Sequence, residues 1–292
     1  MVNREKIDLQ SYMGKLRPCV VCNQSEFELW TRLDNYEAKK CKNCEMISIN
    51  PHLTEEGLSI YYKGYLKDRL NNEKTLFEQR KITYTIDRDW ICKLIPQGSV
   101  LDVGCSGGYF LSTFDQKKWE RMGIDVEEED AKFAKEQFDI DVKVGFLPDM
   151  TIDRQFDLVM LRGVIEHISN PVTFLKKCCD LMKPGGLLFI TATPAGDAFA
   201  FDVYREKWHL FTPPEHLHFF SLKHLTKILE QFNLELFDFH YQYQETPYAN
   251  VEKDFDTIKN DIFLIKSDQS DKVKNSVPFP GSMITAVWRK QS

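Results

Sequence analysis

The 292-residue chain lacks any apolar run of the length that a membrane span needs. Residues 1–8 also lack the apolar core of a secretory signal. We therefore expect a cytoplasmic protein with no membrane partner. Its composition predicts a folded chain, since 42% of the residues are hydrophobic and 28% are charged, as in ordinary globular domains. A chain of this length can bury one main core and still carry a smaller module.

The chain also lacks an excess of positive charge. Lysine and arginine number 38 against 44 aspartate and glutamate residues, which gives a formal net charge of -6. Nucleic-acid-binding proteins usually carry a basic surface that neutralises phosphates, so this balance disfavours a nucleic acid partner. A net negative charge does not exclude a local basic patch on the surface.

A glycine-rich turn is the first positive signal. Residues 98–103 read as a buried parallel strand, the turn occupies residues 104–108, and helical spacing follows over residues 109–114. Such a turn presents backbone N–H groups at the carboxyl end of a strand, where an open α/β sheet binds its ligand. The dinucleotide pattern Gly-x-Gly-x-x-Gly is absent, because Ser106 and Tyr109 stand at its second and third glycine positions. Taken alone, the turn is also compatible with another α/β protein.

Two Cys-x-x-Cys pairs precede the turn, and they are separated by 18 residues: Cys19 and Cys22, then Cys41 and Cys44. This spacing predicts a four-cysteine zinc ribbon, which we place in a head over residues 1–52. The alternative is a pair of redox dithiols or disulfides, which a reducing compartment disfavours. Because all four ligands would be thiolates, no position stays open for substrate and the zinc would be structural.

The rest of the chain alternates predicted strands and helices, as in an α/β domain with a parallel sheet. We predict a helical linker or lid region over residues 53–95 and the main domain over residues 96–292. The second strand of that domain ends at Asp125, about 20 residues after the turn, where a ribose-binding carboxylate would stand. The same carboxylate could instead cap the following helix. Residues 195–220 interrupt the alternation, and residues 245–280 look like a polar surface excursion.

A series of motifs resembles a known family. The segment Asp102-Val-Gly-Cys-Ser-Gly-Gly108 resembles the first motif of class I S-adenosylmethionine (SAM) dependent methyltransferases, with Ser106 where that family most often has glycine. Phe156-Asp-Leu-Val, Glu166-His-Ile, Asn170-Pro and Met182-Lys-Pro-Gly-Gly follow in the order of that family. The resemblance covers about residues 90–240. It implies an α/β, Rossmann-like fold with a seven-stranded sheet, and SAM as the cofactor.

The resemblance also implies which residues bind the cofactor. We expect the turn to hold the methionine part of SAM, Asp125 to accept the ribose hydroxyls, and apolar contacts to hold the adenine. The implied cofactor-binding residues are Asp102, Gly104, Cys105, Ser106, Gly108, Asp125, Leu161 and Arg162.

Two histidines are candidate catalytic residues. His167 would follow the fourth strand, and its near-neutral ordinary pKa suits a base that deprotonates a hydroxyl acceptor; it could instead only shape the loop. In such enzymes an insert after the fifth strand builds the acceptor pocket, and here His216 of residues 195–220 is the second candidate. Some ring O-methyltransferases of the family bind a divalent ion through Glu-x-x-Glu-His on the His167 loop. Gly163 stands at the first acidic position here, so we expect no catalytic metal.

The ribbon head resembles that of methyltransferases that often act in bacterial glycan and small-molecule pathways. The resemblance therefore implies methyl transfer to a small-molecule acceptor, a sugar or nucleotide-sugar in glycan biosynthesis. An RNA methyltransferase that reads its substrate with the ribbon is the alternative, but the basic residues of the ribbon are balanced by acidic ones. A non-catalytic SAM-binding scaffold is the third hypothesis.

Overall fold

The structure is a computed structural model that describes residues 8–70 and 73–291, without the side chains of residues 63–79. The strands are β1 Phe27–Leu33, β2 Tyr36–Cys41, β3 Ile47–Ile49, β4 Gly98–Val103, β5 Trp119–Asp125, β6 Asp141–Val144, β7 Phe156–Arg162, β8 Met182–Pro194, β9 His218–Phe219, β10 Leu234–His240 and β11 Met283–Lys290. The helices are α1 Glu55–Leu70, α2 Glu73–Leu94, α3 Glu128–Phe138, α4 Pro171–Asp180, α5 Phe199–Tyr204, α6 Leu222–Leu229 and α7 Val251–Lys266. No helix of this described part combines the length and the apolar character that a bilayer span requires.

Seven strands form the main sheet, in the order β10-β11-β8-β7-β4-β5-β6. Strands β4 to β8 pair in parallel, whereas β11 lies antiparallel between β8 and β10. The central strands β4, β7 and β8 are buried along most of their length, which explains their near-continuous apolar sequences. The predicted α/β, Rossmann-like fold with a seven-stranded sheet is confirmed.

One local prediction was wrong. The helix expected after the glycine-rich turn is only a 3-10 turn, Leu111–Thr113. Just ten residues, 109–118, separate the turn from β5, and the buried side chains of Phe110 and Phe114 fix this short segment against the sheet. The polar stretch over residues 245–280 contains the 16-residue helix α7, which buries only one narrow face and so gives a weak apolar pattern.

A second, four-stranded sheet has the order β1-β2-β3-β9. The first cysteine pair precedes β1 and the second lies where β2 ends and before β3 begins, but β9 comes from the predicted insert over residues 195–220. Ile47 pairs with Phe219, and Ser48 pairs with His218. The sheet of the predicted head is thus completed by the main domain, and the boundaries at residues 52 and 95 stay predictions.

Candidate active site

The glycine-rich turn lies at the carboxyl end of β4. Gly104 has φ 77°, and a Cβ atom there would stand 2.7 Å from a methyl carbon of Val164, so only glycine fits. Ser106 also adopts a left-handed φ of 49°, which is costly for a serine. Its N–H donates to Asp125 at 2.7 Å and its hydroxyl donates to Asp130 at 3.0 Å. These two charge-assisted bonds offset the strain and explain why serine is accepted at a position that favours glycine.

Asp125 ends β5 and faces the turn. Besides Ser106, its carboxylate accepts the N–H of Glu127 at 3.2 Å, yet helix α3 begins only at Glu128 with Glu127 as its N-cap residue. The carboxylate therefore ties the turn to the start of α3 instead of capping the helix from the N-cap position. A carboxylate has about four lone-pair positions, so capacity for ribose hydroxyls is left. That role stays a prediction.

Asp102 is the buried carboxyl group beneath the turn, with a relative exposure of 2%. Burial raises its pKa to about 7, although the nearby Arg162 guanidinium acts in the opposite direction. One of its oxygens, Oδ1, has no hydrogen-bond partner among the described residues. Buried polar atoms are nearly always paired, so an unpaired carboxylate oxygen at this place indicates a missing donor.

The other predicted cofactor residues differ in what they can offer a ligand. Gly108, with φ 75°, lies at the close of the turn. The thiol of Cys105 points at the sheet, where a Cβ on Gly123 would come within 2.5 Å of its sulfur, and Leu161 is fully buried. Only the backbone of these two residues can reach a cofactor. Arg162 lies against α2, and its Nε donates to Asp87 at 3.2 Å.

The four cysteines converge at the end of the small sheet. Their sulfur atoms all lie within 4.8 Å of one another, and the Cys19–Cys44 and Cys22–Cys41 sulfur pairs are each 3.5 Å apart. Each pair sits on a tight turn in which a backbone N–H reaches back to the carbonyl of the first cysteine at 2.8 Å. This donor set and geometry fit a tetrahedral zinc ion.

A second polar cluster lies at the carboxyl end of β7, and we call Glu166, His167 and His216 the Glu-His-His cluster. His167 Nε2 lies 3.8 Å from Glu166 Oε1, and the two imidazole ring centroids are 4.9 Å apart. The structure thus brings together the two histidines that the sequence offered as separate candidates. Glu166 was missed as a site residue, although it directly precedes His167. From α1, the Tyr62 hydroxyl lies 3.1 Å from His167 Nδ1, and no sequence signal linked these two residues.

His216 and His218 lie two residues apart, and their rings differ in burial. His218 is 2% exposed, and burial lowers its pKa to about 3. His216 is only partly buried and faces His167, and burial lowers its pKa as well. His218 packs instead against Phe220 and His52.

Known proteins of similar sequence are methyltransferases. A sequence profile described as a methyltransferase domain matches residues 80–238. A ubiquinone biosynthesis O-methyltransferase of Xanthomonas campestris is 31% identical over 116 residues, which cover 36% of this chain and 48% of that protein. The human mitochondrial ubiquinone biosynthesis O-methyltransferase is 34% identical over 123 residues, covering 36% of this chain and 33% of that protein. The chain thus spans half the length or less of these curated relatives.

Solved structures share the fold at low sequence identity. A SAM-dependent methyltransferase from Thermotoga maritima has a TM-score of 0.52 and 17% identity, covering 77% of this chain and 97% of that chain. A 1,6-didemethyltoxoflavin-N1-methyltransferase from Burkholderia thailandensis, solved with S-adenosylhomocysteine, has a TM-score of 0.54 and 12% identity, covering 91% of this chain and 100% of that chain. With the profile match over more than half of its residues and the seven-stranded sheet, the chain belongs to the methyltransferase domain family and has the class I SAM-dependent methyltransferase fold.

Proposed function

We propose that the protein transfers the methyl group of SAM to a small-molecule acceptor. The observation that carries this proposal is the unpaired carboxylate oxygen of Asp102 beneath the glycine-rich turn of a methyltransferase domain. The methionine part of SAM carries an ammonium group, which is a strong donor and would compensate this buried acceptor. The residues present therefore fit SAM.

The turn and the next strand hold the cofactor in this proposal. Gly104, Ser106 and Gly108 leave room for its close approach, Asp102 faces its ammonium group, and Asp125 accepts its ribose hydroxyls. Backbone groups of Cys105 and Leu161 add contacts, since their side chains are buried in the core. Arg162 acts indirectly, because its bond to Asp87 holds α2 against the sheet.

SAM supplies an activated methyl group on a sulfonium, so the main tasks of the protein are to align the acceptor with this methyl group and to remove the acceptor's proton. The Glu-His-His cluster lies at the carboxyl edge of the sheet, where the acceptor of such a domain would enter. A hydroxyl acceptor there can lose its proton to the Nε2 atom of His167, because the Nδ1 atom of that ring already faces the Glu215 carbonyl at 2.9 Å. His216 is the second candidate base.

The acceptor class rests on two likenesses. The ribbon head supports a sugar or nucleotide-sugar of glycan biosynthesis, which is our first candidate. Relatives named for ubiquinone biosynthesis support a ring hydroxyl as the second candidate. Incubation with labelled SAM and a panel of both acceptor types together with RNA, followed by mass spectrometry, separates them. Labelling of RNA alone would favour the RNA methyltransferase, and SAM binding without any labelled product would favour the scaffold.

We also propose a structural zinc ion at Cys19, Cys22, Cys41 and Cys44. The four sulfur atoms lie within 4.8 Å of one another, and four thiolate ligands leave no open coordination position, so this metal would stabilise the head and not take part in the reaction.

The cofactor proposal is tested by isothermal titration with SAM, S-adenosylhomocysteine and NAD. We expect binding of the first two and none of NAD. Asp125→Ala should weaken SAM binding about tenfold or more, since hydrogen bonds to a charged group contribute about 1.5–3 kcal/mol each. The matched control is Asp139→Ala, an exposed carboxylate paired with Lys135 away from the turn. Failure of the unaltered protein to bind SAM would refute the proposal.

A further inference from the structure

The Glu-His-His cluster assembles from two distant parts of the chain. Glu166 and His167 lie in the 3-10 turn Ile165–His167 that follows β7, and His216 comes from the segment that precedes β9. Each side chain offers one ligand atom, and these atoms all lie within 4.8 Å of one another. The loop itself supplies only two of these groups, because Gly163 stands at the first acidic position of the Glu-x-x-Glu-His motif.

Hydrogen bonds orient both imidazole rings in the same way. The Nδ1 atom of His167 lies 2.9 Å from the carbonyl oxygen of Glu215, and the Nδ1 atom of His216 lies 2.7 Å from that of Leu210. A carbonyl only accepts, so Nδ1 carries the hydrogen in each ring, and in the neutral rings Nε2 carries the lone pair. Support of Nδ1–H by a backbone carbonyl is the arrangement that fixes metal-binding histidines in proteins.

The carboxylate of Glu166 is held in a similar way. Its side chain is 2% exposed, its Oε2 atom accepts the hydroxyl of Thr193 at 3.1 Å, and its Oε1 atom faces the Nε2 atom of His167. A buried carboxylate needs a cation or several donors to offset its desolvation. Thr193 thus orients one oxygen and leaves the other directed at His167.

We propose that the Glu-His-His cluster binds a divalent transition-metal ion. Two imidazole nitrogens and one carboxylate oxygen suit Zn²⁺, Co²⁺ and Fe²⁺, and a set of three protein ligands leaves coordination positions open, as in catalytic and not structural sites. The ion is distinct from the zinc proposed at the cysteines, because its ligands are nitrogen and oxygen atoms.

The role of this ion in turnover rests on the proposed function. An acceptor hydroxyl on an open position would lose its proton to water more readily, because a metal ion lowers the pKa of a bound hydroxyl. The oxygen then forms a bond to the methyl carbon, and the carbon–sulfur bond of SAM breaks with its electron pair kept by sulfur. In the metal-free protein the Nε2 atom of His167 takes this proton, as proposed above, whereas in the metal-bound protein both rings are ligands and water takes it.

Cobalt binding tests the site without SAM or acceptor. Protein whose cysteines are loaded with one equivalent of Zn²⁺ is titrated with Co²⁺ and followed by visible absorption and calorimetry. We expect one equivalent to bind with ligand-field bands and without thiolate charge-transfer bands. Binding of no further equivalent, or a spectrum dominated by thiolate bands, would overturn the proposal, whereas SAM binding by the same protein would be unaffected.

Variants assign the ligands. We expect His216→Ala and Glu166→Gln each to weaken Co²⁺ binding more than about tenfold, and Thr193→Val to weaken it about tenfold through the lost support of the carboxylate. His240→Ala is the matched control, because His240 lies on β10 with Glu245 as its partner. Cooperative thermal unfolding checks that each variant folds, and since Glu166→Gln keeps the side-chain volume, it serves if His216→Ala does not fold. Unchanged Co²⁺ affinity in the folded ligand variants, or equal loss in His240→Ala, would contradict the assignment.

Discussion

Arg162 and Asp87 form an ion pair whose carboxylate is fully buried. Arg162 Nε lies 3.2 Å from Asp87 Oδ2, and the two side chains are 15% and 0% exposed. Arg162→Met keeps much of the side-chain stem but leaves the carboxylate without its cation. Removing one partner of a buried pair costs about 3–5 kcal/mol, because the other charge stays desolvated. We expect the free energy of unfolding to fall by about this amount at pH 8.

The loss should depend on pH in a defined direction. Burial raises the pKa of Asp87 even though Arg162 opposes the rise, so in Arg162→Met the pKa must be higher still. Between the pKa of Asp87 in the wild type and its pKa in the variant, the folded variant holds a proton that the folded wild type has released. The difference in the free energy of unfolding between the two proteins therefore widens as pH rises. At acid pH both carboxyls are protonated. The loss then comes mainly from the stacking of the guanidinium 4.5 Å above the Tyr84 ring, about 0.5–2 kcal/mol, with smaller contributions from its contacts with Phe110 and Thr83.

Urea unfolding from pH 5 to pH 8 measures this effect. The control is Asp87→Asn, which removes the buried charge with little change in volume. In the Asp87→Asn background, Arg162→Met should lower the free energy of unfolding clearly less than in the wild type, because no buried carboxylate then lacks its cation. A cost that is the same at every pH, or the same in both backgrounds, would refute the reasoning.

Three further outcomes follow from burial and ligand geometry. Cys41→Ser should release the zinc of the head and lower the melting temperature, and retention of one zinc per chain by mass spectrometry would exclude the four-thiolate site. Phe219→Ala should cost about 3–5 kcal/mol in urea unfolding, since this ring is fully buried against Phe201, Trp208 and Phe211, and a loss below about 1 kcal/mol would contradict that. His218 has a pKa of about 3 in the folded protein, below its value in the unfolded chain. Its contribution to the free energy of unfolding is therefore complete above about pH 7 and is lost as the pH decreases. We expect a loss of about 2 kcal/mol at pH 5 that is absent in His218→Phe, and equal acid sensitivity of both proteins would argue against a buried neutral ring.

The sequence predicts local and strongly patterned features well. Strands β4, β7 and β8 are visible because their residues are apolar on both faces, which only a covered parallel sheet requires. The glycine-rich turn is visible because its backbone conformations exclude most side chains, as at Gly104. The start of α4 is marked by Asn170-Pro171, and the Asn170 side chain accepts the N–H of Thr173.

Features that depend on distant residues were not predictable. Strand β9 has two residues, and only its pairing with Ile47 and Ser48 makes it a strand. Helix α7 was missed because it buries few side chains. The approach of His216 to Glu166 has no sequence signature, since a single chain does not reveal which loops meet at the edge of its sheet.

The small sheet and the Glu-His-His cluster are parts of one hydrogen-bonded structure. The N–H of Ile49 in β3 donates to the carbonyl of Leu217 at 2.9 Å, and the N–H of Leu217 donates to the carbonyl of Glu166 at 2.8 Å. Leu217 directly follows His216, so both parts of the cluster are tied to the strand that follows the second cysteine pair. His224 of α6 adds a further link, with its Nε2 atom 2.8 Å from the carbonyl of Cys44. A head that the sequence presents as a separate module therefore positions the residues that we propose to face the acceptor, and metal binding at its cysteines would be coupled to the geometry of that site.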